Sequence, residues 1–136
     1  MTKPRLLDLF SCEGGAGMGY YRAGFAVVGV DLHPQPRYPF EFHQGDALEY
    51  LAAHGHEFDV IHASPPCQGY SVTQSIHGNE YPLMIEDVRA ALQATGKPYV
   101  IENVPGAPLL NPVELCGVMF GLKVYRHRLF ETSFPV

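Results

Sequence analysis

Four short apolar segments recur along the chain, and each runs directly into residues that a buried strand would exclude. Arg5 to Phe10 ends at the glycine-rich stretch Gly14-Gly15-Ala16-Gly17-Met18-Gly19, and Phe25 to Val30 ends at Asp31. Phe58 to Ala63 runs into Ser64-Pro65-Pro66-Cys67, and Tyr99 to Glu102 runs into Asn103. Helical stretches lie between them. Tyr20 to Ala23 continues a helix out of the glycines, with Gly24 as its stop. Ala47 to Ala53 is a second, and Met84, Val88, Ala91 and Leu92 recur at helical spacing up to about Thr95, stopped by Gly96. Strands alternating with helices require a mostly parallel sheet with crossover connections, a Rossmann-like α/β fold. Ligands of such sheets gather beyond the carboxyl ends of the strands. The glycine stretch, Asp31, Asp46, the loop Ser64 to Ser71 and Glu102-Asn103 are therefore expected to converge on one edge.

The intervening segments are less regular. His33 to Pro39 holds three prolines and has room for neither a helix nor a central strand. Ser75 to Glu80 reads as a polar loop, and Phe120 to Phe134 as extended around Arg126-His127-Arg128. The 136 residues show no repeat or internal boundary, so one domain is expected, large enough for a core of its own.

Several function classes drop out. No apolar run approaches the roughly 18 residues of a membrane span, and the first residues carry no cleavage signal. An intracellular, cytoplasmic setting is expected. Three cysteines without a C-x-x-C pair suit neither a disulfide framework nor a cysteine zinc site. His54 and His56 lack a third ligand at metal spacing and are assigned to a surface turn, with no metal expected. His62, inside a strand, is expected to be a packed core residue. A net charge of −5 excludes a protein that wraps nucleic acid by bulk positive charge, though not a local cationic spot.

The residues suited to chemistry sit in the loops. Glycines between a strand and a helix let backbone N–H groups approach a ligand closely. No lysine follows them as in a phosphate loop, and the dinucleotide spacing fails at Tyr20, which leaves a nucleoside-bearing ligand without a pyrophosphate contact. Asp31, at the end of the next strand, is where an acid commonly takes a pair of ribose hydroxyls. Cys67, between Pro65-Pro66 and Gln68-Gly69, is held on a stiff loop suited to a nucleophile. Cys12 and Cys116 lack that setting and are expected to be packed thiols. Glu102, a partly desolvated acid at a strand end, is expected to have its pKa raised enough to donate a proton near neutrality. Arg126 and Arg128, one residue apart on an extended segment, point to one face.

In order along the chain, Asp8-Leu9-Phe10 with Gly14, Gly15 and Gly19, then Pro66-Cys67-Gln68, then Glu102-Asn103-Val104, then Arg126-x-Arg128, resemble the motifs of the cytosine-C5 DNA methyltransferases. The resemblance runs from near Leu6 to near Glu131. It implies an S-adenosylmethionine-dependent DNA (cytosine-5-)-methyltransferase of the restriction-modification kind. Phe10, Gly14, Gly15, Gly17 and Gly19 are implied to hold the methionine end of the cofactor, with Pro66 beside it. Asp31 is implied to bind the ribose and Asp46 the adenine. Cys67 is implied to attack C6 of a flipped cytosine, with Glu102 holding N3. Arg126 and Arg128 are implied to contact the nucleotide, Gln68 and Ser71 to position it, and Asn103 to brace the cysteine loop.

Cys12 stands where the family usually has glycine. The family continues beyond the equivalent of Val136 into target-recognition and closing segments, so the expectation is one catalytic domain over residues 1–136 without a separate target-recognition domain. Such a chain is active alone, half of a split enzyme completed by a second polypeptide, or a cofactor-binding module without turnover. DNA is the expected partner, and RNA stays open because a tRNA-modifying branch has similar motifs.

Overall fold

The computed structural model describes residues 3–65, 80–103, 109–116 and 127–135. In chain order the elements are β1 (Arg5–Leu9), α1 (Gly15–Arg22), β2 (Ala26–Asp31), β3 (Glu41–Gln44), α2 (Ala47–His54), a 3-10 turn (Gly55–Glu57), β4 (Val60–Ala63), α3 (Glu80–Thr95), β5 (Tyr99–Asn103), β6 (Val113–Cys116) and β7 (His127–Thr132). The strands form one sheet in the order β3-β2-β1-β4-β5-β7-β6. The first five are mutually parallel, whereas β7 runs antiparallel to both β5 and β6.

The central strands read as continuous apolar runs because both faces are covered. Leu6, Leu7 and Leu9 of β1 are all fully buried. Leu7 and Leu9 pack with Val28, Val30, Ile61 and Ile101 beneath α2 and α3, which contribute Leu51, Ile85, Val88 and Leu92. Leu6 faces the other way, with Val27 and Tyr38, on the side that carries α1. Gly24 and Gly96 end α1 and α3 at φ values of 107° and 70°, the left-handed conformation a side chain disfavours.

Three boundaries differ from expectation. α1 begins inside the glycine stretch, at Gly15, because backbone hydrogen bonds from Met18 N–H to Gly14 O close its first turn. α3 begins at Glu80, ahead of its apolar periodicity. β3 and β6 were not legible as strands. Both are four-residue edge strands, and Glu41-Phe42-His43-Gln44 is largely exposed, so neither has the apolar signature of a central strand.

The antiparallel end of the sheet is tied down by one carboxylate. Glu131 of β7 is 2% exposed and accepts from Arg89 of α3 at 2.8 Å and 2.9 Å, from the Leu110 backbone N–H at 2.8 Å and from the Tyr99 hydroxyl at 3.3 Å. Burial pushes its pKa up, but these bonds outweigh burial and hold the carboxyl below the usual glutamate range. A depressed acid contributes stability above its unfolded value of 4.5, and the contribution is lost as pH falls through the lower folded value. Arg89→Met, which strands that charge, is expected to lower the unfolding free energy by about 3 kcal/mol at pH 7. Urea unfolding checks it, and the gap from wild type must shrink once Glu131 is protonated in both states.

Candidate functional site

The strand order reverses between β1 and β4, because β2 and β3 lie to one side of β1 while β4 and β5 lie to the other. At this switch point the carboxyl ends of neighbouring strands diverge and leave a crevice. Hydrogen bonds knit the loops around it. Ser11 N–H donates to Val30 O, Ser64 N–H to Leu9 O and Gly45 N–H to Asp31 O. The side chain of Asn103 donates to the Pro65 carbonyl at 3.1 Å. The residues at the carboxyl ends of β1 to β5, from Ser11, Asp31 and Gly45 to Ser64-Pro65 and Asn103, thus meet on one edge, as the alternation predicts.

The loop after β1 is held in an uncommon conformation. Phe10, Cys12 and Gly14 have φ values of 58°, 49° and 99°, so alternate residues are left-handed and two of them carry side chains. Asp31, itself buried, clamps this loop by accepting from Cys12 N–H at 2.9 Å and from His33 N–H at 3.0 Å. Each of its oxygens keeps a lone pair for a further donor. Cys12 is exposed, not packed as expected, because the left-handed backbone turns its side chain outward. Partial burial, with Asp31 alongside, pushes its thiol pKa up, so it is no activated nucleophile.

The glycines divide by environment. Gly14 caps α1, and a side chain at Gly15 or Gly19 would meet nothing within 4 Å. A Cβ at Gly17 would lie 3.1 Å from both the Asp8 carboxylate and the Tyr38 hydroxyl, so this glycine serves helix–sheet packing. Asp46 caps α2 by accepting from Glu49 N–H at 2.9 Å, and it is exposed just beyond β3. Pro66, Cys67, Gln68, Ser71 and Arg126 lie outside the described residues.

Glu102 departs most from expectation. It is partly buried, yet its pKa is lowered instead of raised: a hydrogen bond with His62 outweighs the burial that pushes the other way, and Ser64 and Arg128 add to the lowering. Its Oε1 lies 3.1 Å from Ser64 Oγ and 3.3 Å from His62 Nε2, while Arg128 Nε stands 3.7 Å from Oε2. The acid is therefore held ionised. His62 is 2% exposed, buried as expected, but it is not an apolar packing residue: its ring nitrogens meet Tyr20 Oη at 2.8 Å and Ser64 Oγ at 2.9 Å. A cavity of about 480 Å3 borders this cluster, lined in part by Ala16, Gly19, Tyr20, His62, Glu102 and Phe130. Tyr20, His62 and Ser64 were missed as site residues, because only the pairing of β1, β4 and β5 brings them to Glu102.

Asp8, on β1 behind the cluster, is 1% exposed, with the Tyr38 hydroxyl donating to it at 3.1 Å. Burial raises its pKa from 3.8 to about 6, against lowering by His62 and the Tyr38 bond. A raised acid costs stability progressively as pH climbs from 3.8 towards the folded value, and the cost persists above it. Asp8→Asn, whose amide oxygen still accepts from Tyr38, is expected to unfold at higher temperature than wild type at pH 7.5, by up to about 3 kcal/mol. The advantage must vanish below pH 4. At the loop, Cys12→Gly is expected to match or exceed wild-type stability in the same melts, and Cys12→Val to fall below it, because β-branched side chains tolerate positive φ least.

No protein-family model matches the chain. It is 31% identical over 124 residues to the Type II methyltransferase M.XorII of Xanthomonas oryzae pv. oryzae, covering 78% of this chain and 29% of that protein. It is 29% identical over 121 residues to the Type II methyltransferase M.AquIA of Picosynechococcus, covering 75% of this chain and 49% of the relative. The chain thus spans less than half the length of either. Among solved structures, the S. pombe Dnmt2 methyltransferase superposes with a TM-score of 0.70 at 18% identity, over 99% of this chain and 51% of that one. A SAM-dependent methyltransferase from Agrobacterium tumefaciens superposes with a TM-score of 0.57 at 14% identity, over 96% of this chain and 56% of that one. No helix among the described residues is long and apolar enough to cross a membrane.

Proposed function

From a chain that is related in sequence to the Type II methyltransferases and has the Rossmann-like fold of the S-adenosylmethionine-dependent methyltransferases, we propose the catalytic core of a DNA methyltransferase acting on C5 of cytosine. The observation that carries the reading is the link between β4 and β5. Asn103 holds the Pro65 carbonyl, and Ser64 holds Glu102, so the acid stands beside the strand end that leads into Pro66-Cys67-Gln68. An acid next to the start of a nucleophile loop, on the ligand-binding edge of the sheet, is the arrangement that covalent addition to a base requires.

The residues of the edge suit S-adenosylmethionine. The left-handed loop from Phe10 to Gly14 and the uncovered Gly15 leave room for the methionine end, and the spare lone pairs of Asp31 suit a ribose diol. Asp46, exposed past β3, is the residue this reading assigns to the adenine. When bound, the cofactor supplies an electrophilic methyl group. Cys67 as thiolate adds to C6 of a cytosine extruded from the duplex, which makes C5 nucleophilic. Glu102, ionised before the base enters, takes a proton from solvent and shares it with N3, then gives it up again as the ring is restored. Arg128, with Arg126, offsets the charge of the flipped nucleotide beside it. Loss of the C5 proton and expulsion of the thiolate restore the ring.

A second reading is a module that binds S-adenosylmethionine without turnover. A covalent trap separates the two. The chain is incubated with S-adenosylmethionine and duplex DNA carrying 5-fluorocytosine in mixed contexts, with an RNA version in parallel, and its intact mass is read. Fluorine cannot depart as the C5 proton does, so an active enzyme stalls as an adduct. The expected result is an adduct with DNA that Cys67→Ser abolishes. Cofactor binding without adduct, unchanged in Cys67→Ser, excludes an enzyme active alone in favour of the module or half of a split enzyme, and an adduct on RNA alone reassigns the substrate.

A further inference from the structure

We propose that Tyr20, His62 and Ser64 form a directional hydrogen-bond relay that positions Glu102, presenting Oε2 to the substrate by occupying Oε1. The role rests on reading Glu102 as the acid of the site. The relay crosses three elements: Tyr20 Oη of α1 stands 2.8 Å from His62 Nδ1 of β4, and His62 Nε2 stands 2.9 Å from Ser64 Oγ. Ser64 Oγ in turn donates to Glu102 Oε1 of β5 at 3.1 Å.

The direction of each bond follows from the carboxylate end: an ionised Glu102 can only accept, so Ser64 donates to it, His62 Nε2–H donates to Ser64, and Nδ1 is left to accept from the Tyr20 hydroxyl. Burial, with Asp8 and Glu102 nearby, pushes the Tyr20 phenol up to about 12, so it remains a donor at neutral pH. Donation to Nδ1 leaves the neutral imidazole with its proton on Nε2. That N–H donates to Ser64 Oγ, and the hydroxyl proton of Ser64 is then free to point at Glu102. Without the Tyr20 hydroxyl, Nδ1 loses its donor and the Nε2–H tautomer is favoured only by the carboxylate beside it, so the other tautomer becomes more accessible. Nε2 then accepts from Ser64, and the hydroxyl proton turns away from the carboxylate. A residue three hydrogen bonds distant therefore biases how firmly Oε1 is held.

Burial makes a packing role alone a poor account of His62. A histidine that is 2% exposed, between Ile61 and Ala63 in a parallel strand, costs free energy unless both ring nitrogens are bonded, and an aliphatic residue would not incur that cost. The groups facing Glu102 are His62 from β4, Tyr20 from α1, Arg128 from β7 and, more distantly, Asp8 from β1. Arg128 lies on the Oε2 side at 3.7 Å, so the two oxygens are differently occupied.

The test reads Glu102 directly. The full chain is labelled with 13C at the glutamate carboxyl, the Glu102 signal is identified by its loss in Glu102→Gln, and its pH titration is followed by NMR. Tyr20→Phe and Ser64→Ala each remove one oxygen without opening the core, and His62→Leu removes the middle of the relay. The Glu102 midpoint is expected to rise in all three, most in His62→Leu. His62→Gln, which restores a donor near Nε2, should recover part of the shift. In methyl-transfer assays kcat should fall on the order of 10- to 100-fold in Tyr20→Phe, with KM for S-adenosylmethionine unchanged. A midpoint unmoved in both folded Tyr20→Phe and Ser64→Ala overturns the relay, whether or not His62→Leu folds. The titration needs no turnover: a shifted midpoint in a chain that never transfers methyl groups keeps the relay and refutes the enzymatic reading, and the converse refutes the relay alone.

Discussion

The parallel hydrogen-bond ladder between β1 and β4 is the constraint from which the site follows. Leu6 to Leu9 register against Val60 to Ala63, and the same β1 residues register against β2 on the other side. With β1 shared in this way, the chain must leave in opposite directions after its first and fourth strands, and the crevice opens between them. Ser11 and Ser64 then donate to the terminal carbonyls of Val30 and Leu9, extending the ladder by one bond past the strands. Without that pairing the glycine loop, Asp31 and the Ser64-Pro65 segment would have no common edge.

The two faces of the sheet solve different problems. Beneath α2 and α3 the filling is almost wholly aliphatic and carries stability. On the face of α1, by contrast, Asp8, His62 and Glu102 lie on three adjacent strands, the first two buried and the third partly so. Burying three ionisable groups side by side is costly unless each finds partners. Tyr38, Tyr20 and Ser64 supply them. The outcome is graded: Asp8, with one hydroxyl donor, is pushed towards neutrality, while Glu102, with two partners and a nearby guanidinium, is held ionised. Such divergence between neighbouring acids is how one environment prepares groups for different work.

The wrong sign expected for Glu102 shows where reading residues in line reaches its limit. A strand-end acid next to an apolar run has burial as its only visible influence, and burial alone raises a carboxyl pKa. His62 was visible in the same sequence, but as an isolated histidine in an apolar strand. Its distance from Glu102, 40 positions along the chain, is closed only by the β4–β5 register, in which His62 opposes Val100. Cys12 failed similarly, since nothing local announces a left-handed backbone at a non-glycine residue. The edge strands β3 and β6 were hidden for another reason: an edge needs polar residues to stay unpaired, which erases its apolar pattern.

The sequence by itself determined the layered parallel architecture, the helix stops at Gly24 and Gly96, and the set of loops that carry polar residues. These depend on periodicity and backbone sterics, which act over a few residues. The tertiary structure decided the strand order, the partners of Glu131 and the ionisation of Asp8 and Glu102. It also gave Tyr20, His62 and Ser64 their common purpose. Those properties depend on which buried groups face each other across strands, and hydrogen bonding and desolvation are set by distance in space, to which position along the chain is no guide.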